Sequence, residues 1–342
     1  MLTDFFGTIR SYLLDYLPNQ KCFSVNTVKA HKNTLNLFVS YLRNEKQLKA
    51  DKITFSIFER QTFLDFLEWL TVKRGCSSSS RNQRLSILRT FFGYAGQLDC
   101  LQVSLELQIK RIPAAKEVKS MPKFLSENAL KVLLEQPDIS KSNGLRDRFF
   151  MMLMYDTAAR CSELINMKVC DLKINITHPV AYLKGKGDKL RSVPLMPKTV
   201  EHCRHYLRAF HPDSDYTSDK PLFYTKIHDV QGKMSSAAAL AFVKKYGEAA
   251  RKVCPEMPEK IHPHMLRHTR AIHIYRDGVP LVLVGEYLGH VNPITTKIYA
   301  YADSEMKRRA LEKVQKDHGV SSHEVPVWQN NEDMILQLSG LK

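Results

Sequence analysis

Acidic residues are the scarce class in this chain: 35 Asp and Glu stand against 51 Lys and Arg in 342 residues, a formal net charge of +16. An excess of that size points to a polyanionic partner. Long apolar runs are missing too, with no window near the eighteen or so residues of a membrane-spanning helix. The first residues, MLTDFFGTIRSYLLDYL, carry Asp4, Arg10 and Asp15 where a secretory signal would be apolar, so a soluble cytoplasmic protein is expected. The seven cysteines, Cys22, Cys76, Cys100, Cys161, Cys170, Cys203 and Cys254, form no CxxC pair and are odd in number. That argues against a disulfide framework or zinc ribbon and for thiols in a reducing compartment. There is no internal repeat, no collagen-like glycine period, and no low-complexity tract beyond Ser77 to Ser80. What remains, 44% hydrophobic and 25% charged residues, suffices for packed cores, and the length suits two domains better than one.

Apolar residues in the first hundred positions recur at helical spacing: Phe5, Ile9, Tyr12 and Tyr16; Leu35, Phe38 and Leu42; Phe63, Leu67 and Leu70. A small helical bundle is expected over 1–110. Its last helix starts in the serine run, whose hydroxyls can cap free amides, and places Arg81, Asn82, Gln83 and Arg84 in its first turns. Those side chains suit base edges and phosphates, or equally a solvated helix start. From Lys110 and Arg111 the periodicity lapses into KRIPAAKEVKSMPK, read as a basic extended linker over 111–123 that tracks phosphates or is merely solvated. Beyond it, helices are expected over Leu125–Leu134, Leu145–Tyr155 and Ser162–Met167, then strands over Val169–Ile174, Val180–Leu183 and Ser192–Leu195. Gly185 and Gly187 turn the last pair into a hairpin. From about Val200 to Lys316 the pattern is helical apart from loops near Pro212–Pro221 and Lys252–Pro263. The fold class is therefore mostly α: a helical domain, then a mixed α/β domain with a small antiparallel three-stranded sheet.

Four short segments carry groups capable of chemistry. IHPHMLRHTR sets His264 and Arg267 on one helix face behind Pro263. YLGHVNPITTKIY ends a helix at Gly289, follows with His290, and leads through Thr295 and Thr296 to Tyr299. YDTAARCSEL places Arg160 at a turn with Glu163 one turn later, and LKGKGDKLRSVPL places Lys186 at the hairpin tip. His264 with His268, and His202 with His205, approximate the spacing of helical zinc pairs, but neither has a glutamate between in the order a metalloprotease requires.

Taken in this order, the segments resemble the tyrosine recombinases, or phage integrases, over roughly residues 125–316, with a branch similar to transposon and other mobile-element integrases. The amino-terminal bundle is similar in pattern to that family's core-binding domain. The resemblance implies a catalytic domain over 124–319, Arg160 and Arg267 as the arginine pair, Lys186 as the lysine, His264 and His290 as the histidines, Tyr299 as the nucleophile and Glu163 as a supporting acid. It also implies site-specific cleavage and rejoining of double-stranded DNA through a 3′-phosphotyrosine, during integration, excision or resolution, by a homotetramer on two sites, with room for accessory DNA-bending proteins. Arg81, Asn82, Gln83, Arg84, Lys110 and Arg111 are the DNA-contact candidates. Two positions depart from the pattern: Ala158, where the family usually has Gly, and Arg270, where it usually has an apolar residue.

Two guanidiniums can neutralise the charge that gathers on an attacked phosphate where many nucleases use metal ions, so no metal or other cofactor is expected. Lys186 would protonate the departing 5′ oxygen. His264 would take the tyrosine proton or bond a phosphate oxygen, and His290 would donate to the phosphate. Tyr301 is the rival nucleophile, but Tyr299 sits at the family spacing after the threonine pair. A type IB topoisomerase and a catalytically idle DNA-binding regulator are the alternatives weighed. The first is disfavoured by the small helical amino-terminal domain and the tail, the second by the intact set of site residues. In the tail, 320–342, an extended segment precedes a narrow stripe of Met334, Ile335, Leu338 and Leu341, read as an exchange element between protomers.

Overall fold

Serine side chains begin four of the main helices. The Ser24, Ser77, Ser126 and Ser235 hydroxyls accept from the backbone N–H three residues on, at 3.3, 3.3, 3.0 and 3.1 Å. Each satisfies an amide that the first helical turn leaves without a partner. The computed structural model describes residues 4–117, 122–185, 187–212, 216–227, 230–290, 295–301, 308 and 331–340. The chain divides into two units, Met1–Lys119 and Ser120–Lys342.

The first unit is helical: α1 (Asp4–Ser11) runs into a π-helical stretch Tyr12–Gln20, followed by α2 (Val25–Asn44), α3 (Arg60–Val72), α4 (Ser78–Leu98) and α5 (Val103–Lys110). Its core is dominated by phenylalanines. Phe63 meets Phe92 edge-on at 4.9 Å and Phe38 meets Phe66 edge-on at 5.0 Å, the geometry that sets a positive ring edge against a negative face. One buried polar pair interrupts it, the Tyr12 hydroxyl 2.8 Å from Nδ1 of His31. Helix α5 was not expected, because it buries only Leu105 and Ile109, a stripe too narrow to read.

The second unit contains α6 (Glu127–Glu135), α7 (Ser142–Thr157), α8 (Cys161–Ile165), β1 (Leu172–Lys173), β2 (Val180–Lys184), β3 (Leu190–Pro194), α9 (Pro197–Phe210), β4 (Tyr224–Ile227), β5 (Val230–Lys233), α10 (Ser236–Arg251), α11 (Pro263–Arg276), α12 (Leu281–Leu288) and α13 (Lys297–Tyr301). Strands β1, β2 and β3 pair antiparallel in that order, with buried Ala181 opposite Leu172 on one side and Val193 on the other. Two readings need correction. Val169–Asp171 is a 3-10 turn rather than strand, because the Asp171 carboxylate accepts the Lys168 N–H at 2.8 Å and curls the chain. The region past Val200 also holds an unforeseen hairpin, β4 with β5, whose four-residue strands are too short to show a period. In the tail a helix spans Glu332–Leu338, with Met334 37% and Leu338 69% exposed. Leu341 and the stretch 320–330 lie outside the described residues.

Gly144, in the first turn of α7, fits because it has no side chain: a Cβ there would stand 2.0 Å from the Asp138 carbonyl oxygen. Alanine favours a helix by about 1 kcal/mol over glycine, but forcing a methyl against fixed backbone costs about 1–3 kcal/mol or more. Gly144→Ala should therefore lower the thermal midpoint by several degrees in a circular-dichroism melt. An unchanged or raised midpoint would show that the 138–144 turn yields freely.

Candidate active site

Helix α7 ends at Ala158 in the left-handed conformation, φ 47° and ψ 31°. A Cβ in that region costs roughly 1–2 kcal/mol, of which burying one methyl group recovers about 0.8 kcal/mol. Ala158 is fully buried, so burial offsets part of the cost of the departure from glycine. The sharp turn aims the Ala158 carbonyl at Arg267 on α11, which donates to it from Nη1 at 2.6 Å and to the Leu288 carbonyl from Nη2 at 2.7 Å. Arg267 is 1% exposed. Burial first, then the neighbouring Arg160, pull its pKa down to about 10, so it is a cation at neutral pH. Each terminal nitrogen keeps a second hydrogen beyond those two bonds.

Two residues past Ala158, Arg160 caps α8 and is tied to Glu163. Its backbone N–H donates to Oε2 at 2.8 Å and its Nη1 to Oε1 at 2.7 Å. Glu163 is also gripped from β3, where Arg191 donates from Nη1 at 3.1 Å and from Nη2 at 2.7 Å. Burial works to raise the Glu163 pKa, but the hydrogen bonds and charges of Arg191 and Arg160 together outweigh it and hold the carboxyl below its usual range. The side chains of Glu163 and Arg191 are 3% and 14% exposed, against 37% for Arg160. Of this trio, Arg160 is the cation that faces outward. A pocket of about 270 Å³ opens there, lined by Arg160, Gly185, Lys189, Arg191, Gly289 and His290. Gly289 closes α12 at φ 64°, and a Cβ on it would stand 3.1 Å from the Arg191 side chain.

The Tyr299 hydroxyl lies 2.9 Å from Nδ1 of His268, and His290 sets its Nδ1 2.9 Å from the Thr296 hydroxyl. Tyr299 is 1% exposed, packed with Ala158, Ala271, Ile272, Val284 and Leu288. His264 stacks edge-on against His268 at 4.5 Å. Burial pushes the Tyr299 phenol up to about 12, with Arg267 opposing. Burial and then His264 bring His268 down to about 4, while burial and then Arg267 and Arg160 do the same to His290. His264 is lowered as well, by desolvation and then Arg267. The phenol is thus held protonated and the imidazole beside it neutral at pH 7.

The structure thus brings Arg160, Glu163, Arg267, His264, His290 and Tyr299 into one cluster with Arg191 and His268. Lys186 lies outside the described residues; Gly187 and Asp188 beside it take positive φ, and the Gly185 N–H closes the hairpin on the Lys189 carbonyl at 2.8 Å. In the first unit, Asn82 donates to the Ala115 carbonyl and the Glu117 carboxylate and accepts the Ala115 N–H, so its amide holds the start of the linker. Arg84 donates to the Ser80 backbone carbonyl at 3.2 Å and Arg81 to Oδ1 of the Asn82 side chain at 3.3 Å. Lys110 pairs with Glu106, while Gln83 and Arg111 are exposed. Sequence reasoning missed Arg191, although it follows the hairpin lysine by five positions, and weighed His268 only as half of a zinc pair. Among the described residues no three His, Cys, Asp or Glu side chains gather as a metal site.

A phenol held against an imidazole and walled by guanidiniums is equipped to attack a phosphodiester and neutralise the charge that develops. That defines the class as a phosphotyrosyl-transfer enzyme. Residues 123–306 match the model of the phage integrase family, and residues 9–97 match the phage integrase N-terminal SAM-like domain. The chain is 29% identical over 304 residues to tyrosine recombinase XerD of Staphylococcus epidermidis, covering 89% of this chain and 97% of that one. By fold it is similar to XerH site-specific recombinase bound to palindromic difH substrate in a post-cleavage complex, with TM-score 0.64, 21% identity, and 85% and 81% of the two chains covered. It is likewise similar to the Tn1549 transposon integrase in complex with transposon right end DNA, with TM-score 0.65, 15% identity, and 85% and 94% covered. The chain belongs to the phage integrase family: it is a tyrosine recombinase, an enzyme of site-specific DNA recombination with DNA as its partner. No helix among the described residues is long and apolar enough to cross a membrane.

A phosphate entering the pocket favours the charged imidazolium and raises the His268 and His290 pKa above about 4, so DNA binding takes up protons and tightens as pH falls toward 5. Imidazole proton resonances followed by NMR should titrate near pH 4 in the free protein and at higher pH with DNA bound. Midpoints near 6.5 in the free protein would contradict the burial seen here.

Proposed function

We propose that this enzyme cleaves and rejoins DNA by a metal-independent attack of Tyr299 on the scissile phosphate. The phenolic oxygen bonds to phosphorus, the bond to the 5′ oxygen breaks, and a 3′-phosphotyrosine and a free 5′ hydroxyl result. The phenolic hydrogen passes to His268, the only imidazole among the described residues hydrogen-bonded to Tyr299; this contact carries the reading. His264, edge-on to His268 at 4.5 Å, assists that transfer or bonds a phosphate oxygen. Arg160 and Arg267 neutralise the non-bridging oxygens, His290 donates to the phosphate, and Lys186 returns a proton to the departing 5′ oxygen. Because Tyr299 is 1% exposed, DNA binding must uncover it before attack. The relatives' names and the transposon integrase likeness support conservative strand exchange for a mobile element, carried out in the cytoplasm on nucleoid DNA by four protomers on two sites, with accessory bending proteins where the site requires them.

A duplex recovered from a random-sequence pool by binding at near-physiological salt, and mapped by footprinting, supplies the substrate. On it, Tyr299→Phe should abolish the covalent adduct and leave binding within about twofold, whereas Tyr301→Phe stays active. Wild-type cleavage should persist in excess chelator, and Arg160→Ala or Arg267→Ala should lose on the order of a hundredfold or more in rate. An adduct retained by the Tyr299 variant and lost by the Tyr301 variant would reverse the assignment, and magnesium-dependent cleavage would point to a metal nuclease.

The tail, 320–342, we assign to protomer exchange: Met334 and Leu338 stay exposed on the helix Glu332–Leu338, and each apolar side chain fully covered by a neighbour contributes about 1.5–3 kcal/mol. Truncation after Val327 should leave binding to a single site intact and eliminate the higher-order complex on paired sites in a gel-shift titration. A truncated protein that assembles and recombines normally would place the tail on its own domain.

A further inference from the structure

Arg270 departs from the family's apolar pattern and touches none of the residues assigned to chemistry, yet it is largely buried. Its Nη2 lies 3.5 Å from Oδ1 of Asp156, with the two side chains 15% and 4% exposed. Its guanidinium lies over the Tyr155 ring at 5.2 Å. The other oxygen of Asp156, Oδ2, accepts the Met196 N–H at 2.9 Å, and the Tyr287 hydroxyl donates to the Asp156 carbonyl. Asp156 therefore ties together three segments. It precedes by two residues the Ala158 carbonyl that holds Arg267, and by four residues Arg160 itself. Met196 caps α9 directly after β3, the strand whose Arg191 grips Glu163. Arg270 stands one helical turn beyond Arg267 on α11. Three ties bridge α11 and the end of α7: Arg267 to the Ala158 carbonyl, Arg270 to Asp156, and the Tyr155 hydroxyl 2.9 Å from Nδ1 of His273; of the last two, only the Arg270 tie meets the residue that also holds Met196 after β3.

We infer that Asp156 and Arg270 are a positioning pair that sets the register between the α7 turn, β3 and α11, and so fixes the spacing of Arg160 and Arg267 around the phosphate. The inference rests on the proposed phosphotyrosyl chemistry. Neither residue meets substrate; each acts through the guanidiniums it aligns. A buried charge stripped of its partner destabilises strongly, so the informative variant is the double one, Asp156→Asn with Arg270→Met, which removes both charges while the amide oxygen can still accept the Met196 N–H.

Single-turnover cleavage of the mapped duplex gives the readout, on a normal phosphodiester and on a methylphosphonate at the scissile position, which lacks the charge the arginines neutralise. The double variant should melt within a few degrees of wild type, bind the site within about threefold, cleave the phosphodiester at least tenfold more slowly, and fall within about threefold of wild type on the methylphosphonate. Arg270→Lys keeps the charge balance and the fold but has one compact ammonium in place of a planar fork. It should show a smaller loss with the same dependence on substrate. Wild-type rates in either variant, or an equal loss on both substrates, would overturn the inference and leave the pair a plain packing element; if the double variant does not fold, Arg270→Lys decides alone by these criteria. Failure of wild-type protein to form an adduct on any duplex would instead refute the chemistry on which the inference rests.

Discussion

Glu163 is the one buried carboxylate between Arg160 and Arg191, and the active-site wall is built on its four hydrogen bonds. Taking a carboxylate out of water is unfavourable by several kcal/mol unless cations and donors replace the lost hydration. Here they come from both sides: the turn after α7 supplies a guanidinium and a backbone amide, and β3 supplies the second guanidinium. Arg160 is consequently held in place without being covered, which is what a group that must meet an incoming phosphate requires. Loss of Glu163 would set two arginines facing each other with no charge between them.

Even with Glu163 in place, the cluster is short of negative charge. Arg160, Arg191 and Arg267 surround one carboxylate; burial first, with the neighbouring cations adding to it, draws Arg267 down to about 10 and His290 to about 4. An anion entering the pocket beside Arg160 meets cations that one carboxylate does not balance. The chain-wide excess of +16 brings DNA close without choosing an atom, since long-range attraction to a polyanion is largely indifferent to sequence.

The proposed nucleophile is stored rather than displayed. Tyr299 is packed among aliphatic side chains with its hydroxyl on a neutral imidazole, and burial keeps the phenol protonated.

Much of this was readable from residue order. Helix spacing, the serine run that caps α4, the glycine that ends α12 and the four short motifs are encoded within a turn or two of chain, where periodicity and hydrogen-bond chemistry act locally; the motifs offered Arg160, Glu163, His264, Arg267, His290 and Tyr299 as candidates, and their roles came from the family resemblance. The short β4–β5 hairpin and α5 escaped because four residues of strand, or two buried side chains, are too few to show a period. The partnerships escaped for a different reason. Arg191 reaches Glu163 across 28 positions, Tyr299 reaches His268 across 31, and Arg270 reaches Asp156 across 114. Pairings over such separations depend on how elements pack, and packing is decided by the shape and volume of a shared core rather than by any local pattern. Residue order thus determined which local elements form and which candidate groups they carry, while only the tertiary structure decided which imidazole faces the phenol and which cations hold the buried carboxylate.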